Sequence, residues 1–598
     1  MINDNLKTLN DYAKGQLGVL KVALQTQDET LIKYQLGKLK VASELSELCS
    51  LVEKGANAQA LMMIDVLLAF KASEKYEVDD ECFARLVGWV YGNKIPPFRF
   101  FPRERKSLTT LKELNLKSCH LKSLSDELAN LQSLEKLNLD YNKFKEFPKA
   151  LCGLNNLKEL HLNSCGLEYL PDEFANLQSL EKLFLYENKF KEVPKALCEL
   201  KNLTVLHLCE WGLEDLSNEF TNLQSLEELL LISDNLQEVP KALYELKSLK
   251  ELTFQWSSDF KSLPNEFVNL QSLEKLFLRG KFQEFPKVLC KFKNLKELDF
   301  GNLDLLSLPD EFANLQSLEK LNLGGNNFYE FSKVVDILTK LKNLKELDLS
   351  SCLLQSLPDK FANLQSLEKL KLNSNRFQEF PKALCELKNL KELDLYECGL
   401  NSLSDEFANL QSLEKLDLRK NRFQKFPKTL CELNNLKKLY VGFYVEYLPN
   451  KLANLQNLEV LGLRLNGFYE FSKVVDILAK LKNLKELDLS ELYLEYLPDE
   501  FANLQSLERL NLWNNQFYEF PKIVNMLARL KNLKELNLER CGLISLPDEF
   551  VNLQSLERLG LYGNEFYEFP KVINKLKNLK ECCIDEPNGL KTFTTWID

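Results

Sequence analysis

Residues 343–389 read NLKELDLSSCLLQSLPDKFANLQSLEKLKLNSNRFQEFPKALCELKN, and this stretch contains the pattern L-x-x-L-x-L twice. The two copies start at Leu344 and Leu367, 23 residues apart. In each copy, leucines alternate with polar residues, as they do in a β-strand with one buried face. So short a strand buries its leucines only by packing against the next copy. The stretch therefore predicts one section of a repetitive solenoid.

The same pattern recurs in both directions along the chain, from Leu111 to Leu579. It defines twenty full repeats and a terminal partial one, most of them 23 residues long. We number the positions of each repeat from its first leucine. The copies alternate between two types, which indicates duplication of a two-repeat cassette. The repeats that start at Leu318, Leu458 and Leu507 have 26 residues, and their extra residues predict a longer helix.

The consensus L-x-x-L-x-L-x-x-N/C-x-L/F-x-x-[LF]-P resembles that of the leucine-rich-repeat superfamily. It is similar to the 23-residue class that includes plant intracellular Ras-group proteins, LAP-type scaffolds and bacterial leucine-rich-repeat proteins. The resemblance covers residues 111 to about 590. It implies an α/β solenoid of horseshoe shape, with a concave parallel β-sheet and short helical turns on the convex side.

The sequence outside the regular repeats predicts two further segments. Residues 1–105 contain no repeat, and their apolar spacing predicts an all-α N-terminal domain of four helices. This domain can cap the first repeat or act as an independent adaptor, and both interpretations remain open. The solenoid is predicted to span residues 106–578, and residues 579–598 form a partial repeat and C-terminal cap.

Two ladders of side chains are predicted to hold the repeats in register. Position 9 is expected to point inward and satisfy turn backbone groups; Asn142, Asn188, Asn326, Asn375 and Asn421 occupy it. Cysteine takes this place in other repeats and is expected to be a buried free thiol. Positions 2 and 3 alternate Lys-Glu with Glu-Lys, which predicts ion pairs between neighbouring strands.

The composition limits the partners of the chain. Lysine plus arginine number 77 against 87 aspartate plus glutamate, a formal charge of −10, which disfavours binding of phosphate backbones. No apolar stretch is long enough to predict membrane insertion. We therefore expect a monomer that binds a protein or peptide and no nucleic acid. Cysteines at fixed repeat positions favour a reducing compartment, so we expect a cytoplasmic protein, or a secreted effector without a recognisable cleavable signal peptide.

The sequence offers little for catalysis. It has three histidines, and His161 and His207 lie two strands apart with Phe184 between them, too far apart to share a metal ion. The pair Cys583 and Asp585 resembles the C-x-D motif of bacterial leucine-rich-repeat ubiquitin ligases, but that family carries it in a separate helical domain. We predict no enzyme activity, no cofactor and no metal site.

Positions 3, 5, 7 and 8 of each strand are expected to face solvent, so large apolar residues there predict a partner-binding surface. The main candidates lie on neighbouring strands; they are Phe184, Tyr186, His207, Glu210, Leu230, Ile232, Trp256, Phe277 and Arg279. A second group is looser and comprises Tyr396, Tyr440, Phe443, Trp513 and Tyr562.

Three functions compete at this point. The first is a non-enzymatic interaction module, a cytosolic scaffold or a bacterial effector, that binds a protein or peptide on the concave face. The second is a signalling or enzymatic switch carried by the N-terminal helices, with the solenoid selecting the substrate. The third is self-association of the array without a specific ligand.

Overall fold

The computed structural model describes residues 110–209, 213, 215–236, 238–259, 263–282, 284–442, 445–585 and 592–596. The predicted N-terminal helical domain, residues 1–105, lies outside the described residues. The chain divides into two compact units, Met1–Lys281 and Phe282–Asp598. In the described part of the chain, no helix combines the length and apolar character needed to cross a membrane.

The described part of the first unit is a parallel sheet with one strand from each repeat. Its strands are β1 (Glu113–Asn115), β2 (Lys136–Asn138), β3 (Glu159–His161), β4 (Lys182–Phe184), β5 (Val205–Leu208), β6 (Glu228–Ser233), β7 (Glu251–Asp259) and β8 (Lys275–Lys281). Equivalent positions pair across the sheet, as Leu137 pairs with Leu160. We call the outward side of the strands, which carries positions 3 and 5, the sheet face.

The second unit repeats this plan. Its parallel strands are β9 (Glu297–Asp299), β10 (Lys320–Asn322), β11 (Glu346–Asp348), β12 (Lys369–Lys371), β13 (Glu392–Asp394), β14 (Lys415–Asp417), β15 (Lys438–Tyr440), β16 (Val460–Gly462), β17 (Glu486–Asp488), β18 (Arg509–Asn511), β19 (Glu535–Asn537), β20 (Arg558–Gly560) and β21 (Glu581–Asp585). A last strand, β22 (Thr592–Trp596), runs antiparallel to β21. Capping of the core by these last residues stays a prediction.

Short helices follow the strands. Most are five-residue 3₁₀ helices, and many begin directly after a proline, as Asp359–Asn363 does after Pro358. Proline suits this place because its fixed φ favours the first turn and it has no N–H to leave unpaired. The α-helices are α1 (Lys195–Cys198), α2 (Phe331–Leu338), α3 (Phe471–Leu478) and α4 (Phe520–Leu527). The last three have eight residues each and lie in the three 26-residue repeats, which confirms the predicted longer helices.

The core lies between the strands and these helices. The leucines at positions 1, 4 and 6 fill it; Leu344, Leu347 and Leu349 are at most 1% exposed. In most cassettes, the 3₁₀ helix of the first repeat adds a buried phenylalanine to this core, as Phe361 shows. Burial of such a side chain contributes about 1.5–3 kcal/mol, and each repeat obtains it only from its neighbours.

Where position 9 is Asn or Cys, its side chain anchors the repeat to the preceding one. Asn375 Nδ2 donates to Leu349 O at 2.9 Å and to Leu372 O at 2.6 Å, and Oδ1 accepts from Leu354 N at 2.9 Å. In the next repeat, Cys398 Sγ donates to Leu372 O at 3.1 Å. The five asparagines of the predicted ladder are all buried and bonded in this way.

The cysteines at these positions are free and nearly all buried, as the sequence predicted. Burial raises the pKa of the Cys398 thiol to about 12 and that of Cys352 to about 11. These thiols therefore stay protonated at neutral pH and act as small apolar groups with one weak donor.

We expect Asn375→Ala to lower the free energy of unfolding by about 3 kcal/mol, because it leaves the buried Leu354 N and Leu349 O unpaired. Cys398→Ala, its matched control, removes one weak donor, shared between Leu372 O at 3.1 Å and Tyr396 O at 3.7 Å, and should cost about 1 kcal/mol. Urea denaturation of both variants measures the difference. Equal losses would show that the amide ladder is not what anchors the repeats.

The predicted charge ladder is also present. Glu135 lies between two lysines of the neighbouring strands, 2.8 Å from Lys112 Nζ and 2.9 Å from Lys158 Nζ. Hydrogen bonds from Lys112 and then Lys158 lower the pKa of Glu135 to about 2. In the second unit, Lys345 Nζ is likewise 2.8 Å from Glu319. Much of the charge at positions 2 and 3 is thus neutralised within the chain.

The charge ladder should make stability depend on pH. Because the pKa of Glu135 is lower in the folded chain than in the unfolded chain, its contribution is complete above the unfolded value and disappears as pH falls towards about 2. We expect Glu135→Gln to have a lower free energy of unfolding than the parent chain at pH 7. This difference should shrink as the pH falls from ~4.5 to ~2. Denaturation across this range tests it, and a pH-independent difference would contradict it.

Candidate functional site

The sheet face of the first unit carries a row of half-buried side chains at position 5, most of them apolar or aromatic. The registers of β4 to β8 place them side by side, one on each strand. Adjacent strands lie about 4.8 Å apart, so neighbours in the row are within contact range. The row consists of Phe184, His207, Leu230, Thr253 and Phe277. The sequence predicted all of these except Thr253, and the structure brings them together.

Phe184 lies between two imidazole rings, as the sequence predicted. Its ring centroid is 4.2 Å from that of His161, in a stacked arrangement, and 4.8 Å from that of His207, edge to face. His161 Nε2 is 2.6 Å from Glu159 Oε1, and His207 Nε2 is 2.8 Å from Glu228 Oε1. Among the described residues, no three histidine, cysteine, aspartate or glutamate side chains are grouped as a metal ion would require.

Position 7 carries three more predicted residues: Ile232 and Arg279, on either side of Gln255, and Tyr186, which the buried Cys209 separates from Ile232. The sheet register places Ile232 next to Gln255, and Gln255 next to Arg279. All three predicted residues are half-buried. Together with the position-5 row, they form an apolar surface that also contains a guanidinium and an imidazole.

The strands are longest where this surface lies. β6, β7 and β8 have six, nine and seven residues, whereas most strands have three. In regular repeats, position 8 has a left-handed backbone that ends the strand, with φ of 60° at Ser374 and 55° at Lys420. In β6 and β7, Ser233 and Trp256 hold position 8 and remain in the strand. Regular repeats turn an Asn, a Cys or, as at Leu303 and Leu492, a leucine inward at position 9, whereas these two repeats have Asp234 and Ser257 there. In β6, the Ser233 hydroxyl at position 8 instead donates to Leu213 O of the preceding repeat at 2.8 Å.

The longer strands overturn one predicted site residue. Trp256 was expected at an outward position, but it is 2% exposed and its ring centroid is 4.9 Å from that of Phe254. The reason is the strand alternation, which continues through position 8 and turns this side chain inward. Gly280 makes room for it, since a Cβ there would lie 2.4 Å from Trp256 Cε2. Trp256 therefore supports the surface from below and is not a contact residue.

We expect Trp256→Ala to lower the free energy of unfolding by about 3–5 kcal/mol, because it empties a large buried volume. Trp513→Ala is the matched control; its half-buried ring lies on the sheet face of the second unit, and its loss should cost about 1 kcal/mol or less. Thermal or urea denaturation distinguishes them. A Trp256→Ala chain as stable as Trp513→Ala would contradict the buried position.

Two predicted site residues, Glu210 and Phe443, lie outside the described residues. The rest of the second group lies on the sheet face of the second unit. Tyr562 is 37% exposed, and Tyr396, Tyr440 and Trp513 are half-buried.

Arginines that the sequence analysis missed organise this second group. The Arg419 guanidinium lies 5.7 Å from the ring centroid of Tyr396 and 5.0 Å from that of Tyr440. Its Nε donates to both carboxylate oxygens of Asp417, at 3.0 and 3.1 Å. A cation held between two aromatic rings and a carboxylate has few alternative positions.

The converse arrangement occurs at Trp513, where one ring has two arginines close to it. Arg464 lies 4.9 Å and Arg540 5.9 Å from the Trp513 ring centroid, and Arg464 Nε donates to Glu491 Oε2 at 2.5 Å. Arg419, Arg464 and Trp513 all occupy position 7 of their repeats. Aligning position 7 across the repeats therefore reveals these contacts, which a search for apolar residues alone does not.

Comparisons with known proteins agree with the repeat structure. A family model described as "Leucine-rich repeat region" matches residues 103–183, 157–262, 382–493 and 471–585, which together cover more than half of the chain. A second, described as "Leucine rich repeat", matches residues 342–400. None of the curated proteins compared with the chain matches it.

Solved structures share this architecture. The TLR13–ssRNA13 complex matches with a TM-score of 0.55 and 22% identity, over 79% of this chain and 80% of that one. The mouse RP105/MD-1 complex matches with a TM-score of 0.54 and 22% identity, over 79% and 90%. A leucine-rich-repeat protein of Leptospira interrogans is 30% identical over 80% of this chain and 97% of its own, with a TM-score of 0.38. The family model that matches more than half of the chain, together with the repeats, shows that the chain belongs to the leucine-rich-repeat family.

Proposed function

We propose that the chain is a protein-interaction module, in a scaffold or an effector, and that the sheet face of its first unit binds a peptide or an exposed protein loop. The observation that carries this proposal is the position-5 row across β4 to β8. Phe184, Leu230 and Phe277 present apolar surface at a position where the second unit mostly has Asp, Asn, Lys or Gly. Clustered apolar groups on a rigid outward face are the usual core of a protein interface.

The polar groups around the row suit the recognition of a peptide. Arg279 can offer N–H groups to carbonyl or carboxylate oxygens of a bound chain, and Glu228 holds the His207 ring in place beside the row. The row extends over five adjacent strands, or about 19 Å, which matches about six residues of an extended peptide. The sheet holds every contact residue in place, so binding costs little ordering of the site.

The second group is a secondary partner surface of a different character. Its arginines already pair with aspartate, glutamate and aromatic rings, so the surface is polar and preorganised. Such contacts favour specificity more than affinity.

The test uses the full chain and a displayed library of random linear peptides. We expect selected peptides to contain aromatic or aliphatic residues and to bind the double variant Leu230→Asn/Phe277→Asn at least about tenfold more weakly, since central apolar contacts dominate such interfaces. Asparagine is a native residue at position 5, for example Asn138 and Asn322, so the fold accommodates it.

Lys371→Asn is the matched control, because it places the same residue at the same position on the second unit. It should leave the affinity of the selected peptides unchanged. Equal binding by the parent chain, the double variant and the control would rule out the position-5 row as the binding site.

A further inference from the structure

One flank of the second unit is lined with exposed tyrosines, in the turns that lead from the strands to the helices. These side chains are 58–83% exposed and come from five of the last six full repeats. They are Tyr447, Tyr469, Tyr493, Tyr496, Tyr518 and Tyr567. Ile544, 53% exposed, represents the remaining repeat of this series. We call this surface the tyrosine flank.

In two cassettes, neighbouring repeats bring residues of the tyrosine flank together. The ring centroids of Tyr447 and Tyr469 are 5.9 Å apart, and Tyr469 N donates to Glu446 O at 3.4 Å. The next cassette repeats the backbone hydrogen bond, because Tyr518 N donates to Glu495 O at 3.3 Å. Two successive cassettes thus present the same Glu-Tyr and Tyr-Glu pairs side by side.

The fold does not require these aromatic side chains. At the position of Tyr469 and Tyr518, other cassettes of the same unit have Gln378 and Gln424. Gln378 N donates to Gln355 O at 3.3 Å, so the backbone contact is the same without an aromatic ring. Large exposed aromatic groups that contribute nothing to the core indicate an interaction surface.

Carboxylates lie among the tyrosines. Glu470 and Glu519 pair with Lys473 and Lys522 of the following helical turn. Glu495, Glu565 and Glu568 are exposed, and no cation of the described residues lies within ion-pair distance of them. The flank therefore combines aromatic faces with uncompensated negative charge.

We propose that the tyrosine flank docks a basic protein segment, whose arginine and lysine side chains stack on the tyrosines and pair with the glutamates. Tyrosine faces attract cations, and guanidinium groups combine stacking with bonds to carboxylates. Glu446 illustrates the local negative field, because its charge and hydrogen bond raise the pKa of the Tyr469 hydroxyl. The flank belongs to the second unit and is independent of the position-5 row.

The negative charge of the tyrosine flank disfavours two other binding partners. A nucleic acid would bring phosphates against Glu495, Glu565 and Glu568, which repel them. A second copy related by two-fold symmetry would bring two copies of this negatively charged surface together, and like charges in an interface are unfavourable.

The test measures binding of a labelled oligo-arginine peptide to the full chain by fluorescence anisotropy. We expect the double variant Tyr469→Ala/Tyr518→Ala to bind about tenfold more weakly, since two stacking sites are lost. An oligo-lysine peptide of equal length should bind the parent chain more weakly than the arginine peptide, because ammonium groups stack less well. Both replaced side chains are at least 70% exposed, so the fold should persist, as circular dichroism will verify.

Tyr329→Ala is the matched control. Tyr329 is 77% exposed and lies in FYEFSKVVDIL at residues 328–338, identical to residues 468–478 around Tyr469. Its neighbouring cassette has glutamines, so it lies outside the tyrosine flank, and its removal leaves the net charge unchanged. Arginine-peptide binding equal in the double variant and this control would overturn the proposal. So would light scattering that shows oligomers of the parent chain which the double variant abolishes, because the flank would then be a self-association surface.

Discussion

An inward side chain at position 9, preceded by a left-handed backbone, ends the strand of each regular repeat. In most repeats it is a hydrogen-bonding Asn or Cys, and in two it is a leucine, Leu303 or Leu492. Asn375 bonds the Leu349 carbonyl and the Leu354 amide of the preceding repeat, and also the Leu372 carbonyl of its own repeat. Cys398 of the next repeat donates to that same Leu372 carbonyl. The residue before it takes a left-handed φ so that this side chain can turn inward. Backbone groups that the short strand leaves unpaired are thereby satisfied inside the solenoid.

The candidate binding surface lies where this constraint is released. The repeats of β6 and β7 have Asp234 and Ser257 at position 9, their strands continue, and the side chains alternate through position 8. Trp256 and Ser233 then fill the inner side, while Leu230 and Ile232 remain outward. The longer strands β6 and β7 thus widen the sheet, and their inward side chains support the position-5 row from the core side. Regular repeats, by contrast, offer a narrow sheet face whose charges are largely paired with each other.

Periodicity accounts for what the sequence could predict. Repeat register, the buried asparagines and the outward row at position 5 follow from the alternation of a short strand, so Phe184, Leu230 and Phe277 were placed correctly. Trp256 was misplaced because its orientation depends on where the strand ends, and its repeat has Ser257 at position 9 in place of the inward Asn, Cys or Leu of regular repeats. The Arg419 contacts depend on side-chain packing between strands, and the tyrosine flank lies in turns to which no period of two applies. Neither can be deduced from apolar alternation.

The most direct test of this account is hydroxyl-radical footprinting of the intact chain, read residue by residue by mass spectrometry. The outward rows predict substantial modification of Phe184, Tyr186 and Phe277, and near-complete protection of Trp256. Tryptophan is intrinsically the most reactive of these side chains, so its protection would be informative. Rapid modification of Trp256, with Phe184 and Phe277 protected, would contradict the strand extension and the binding surface built upon it.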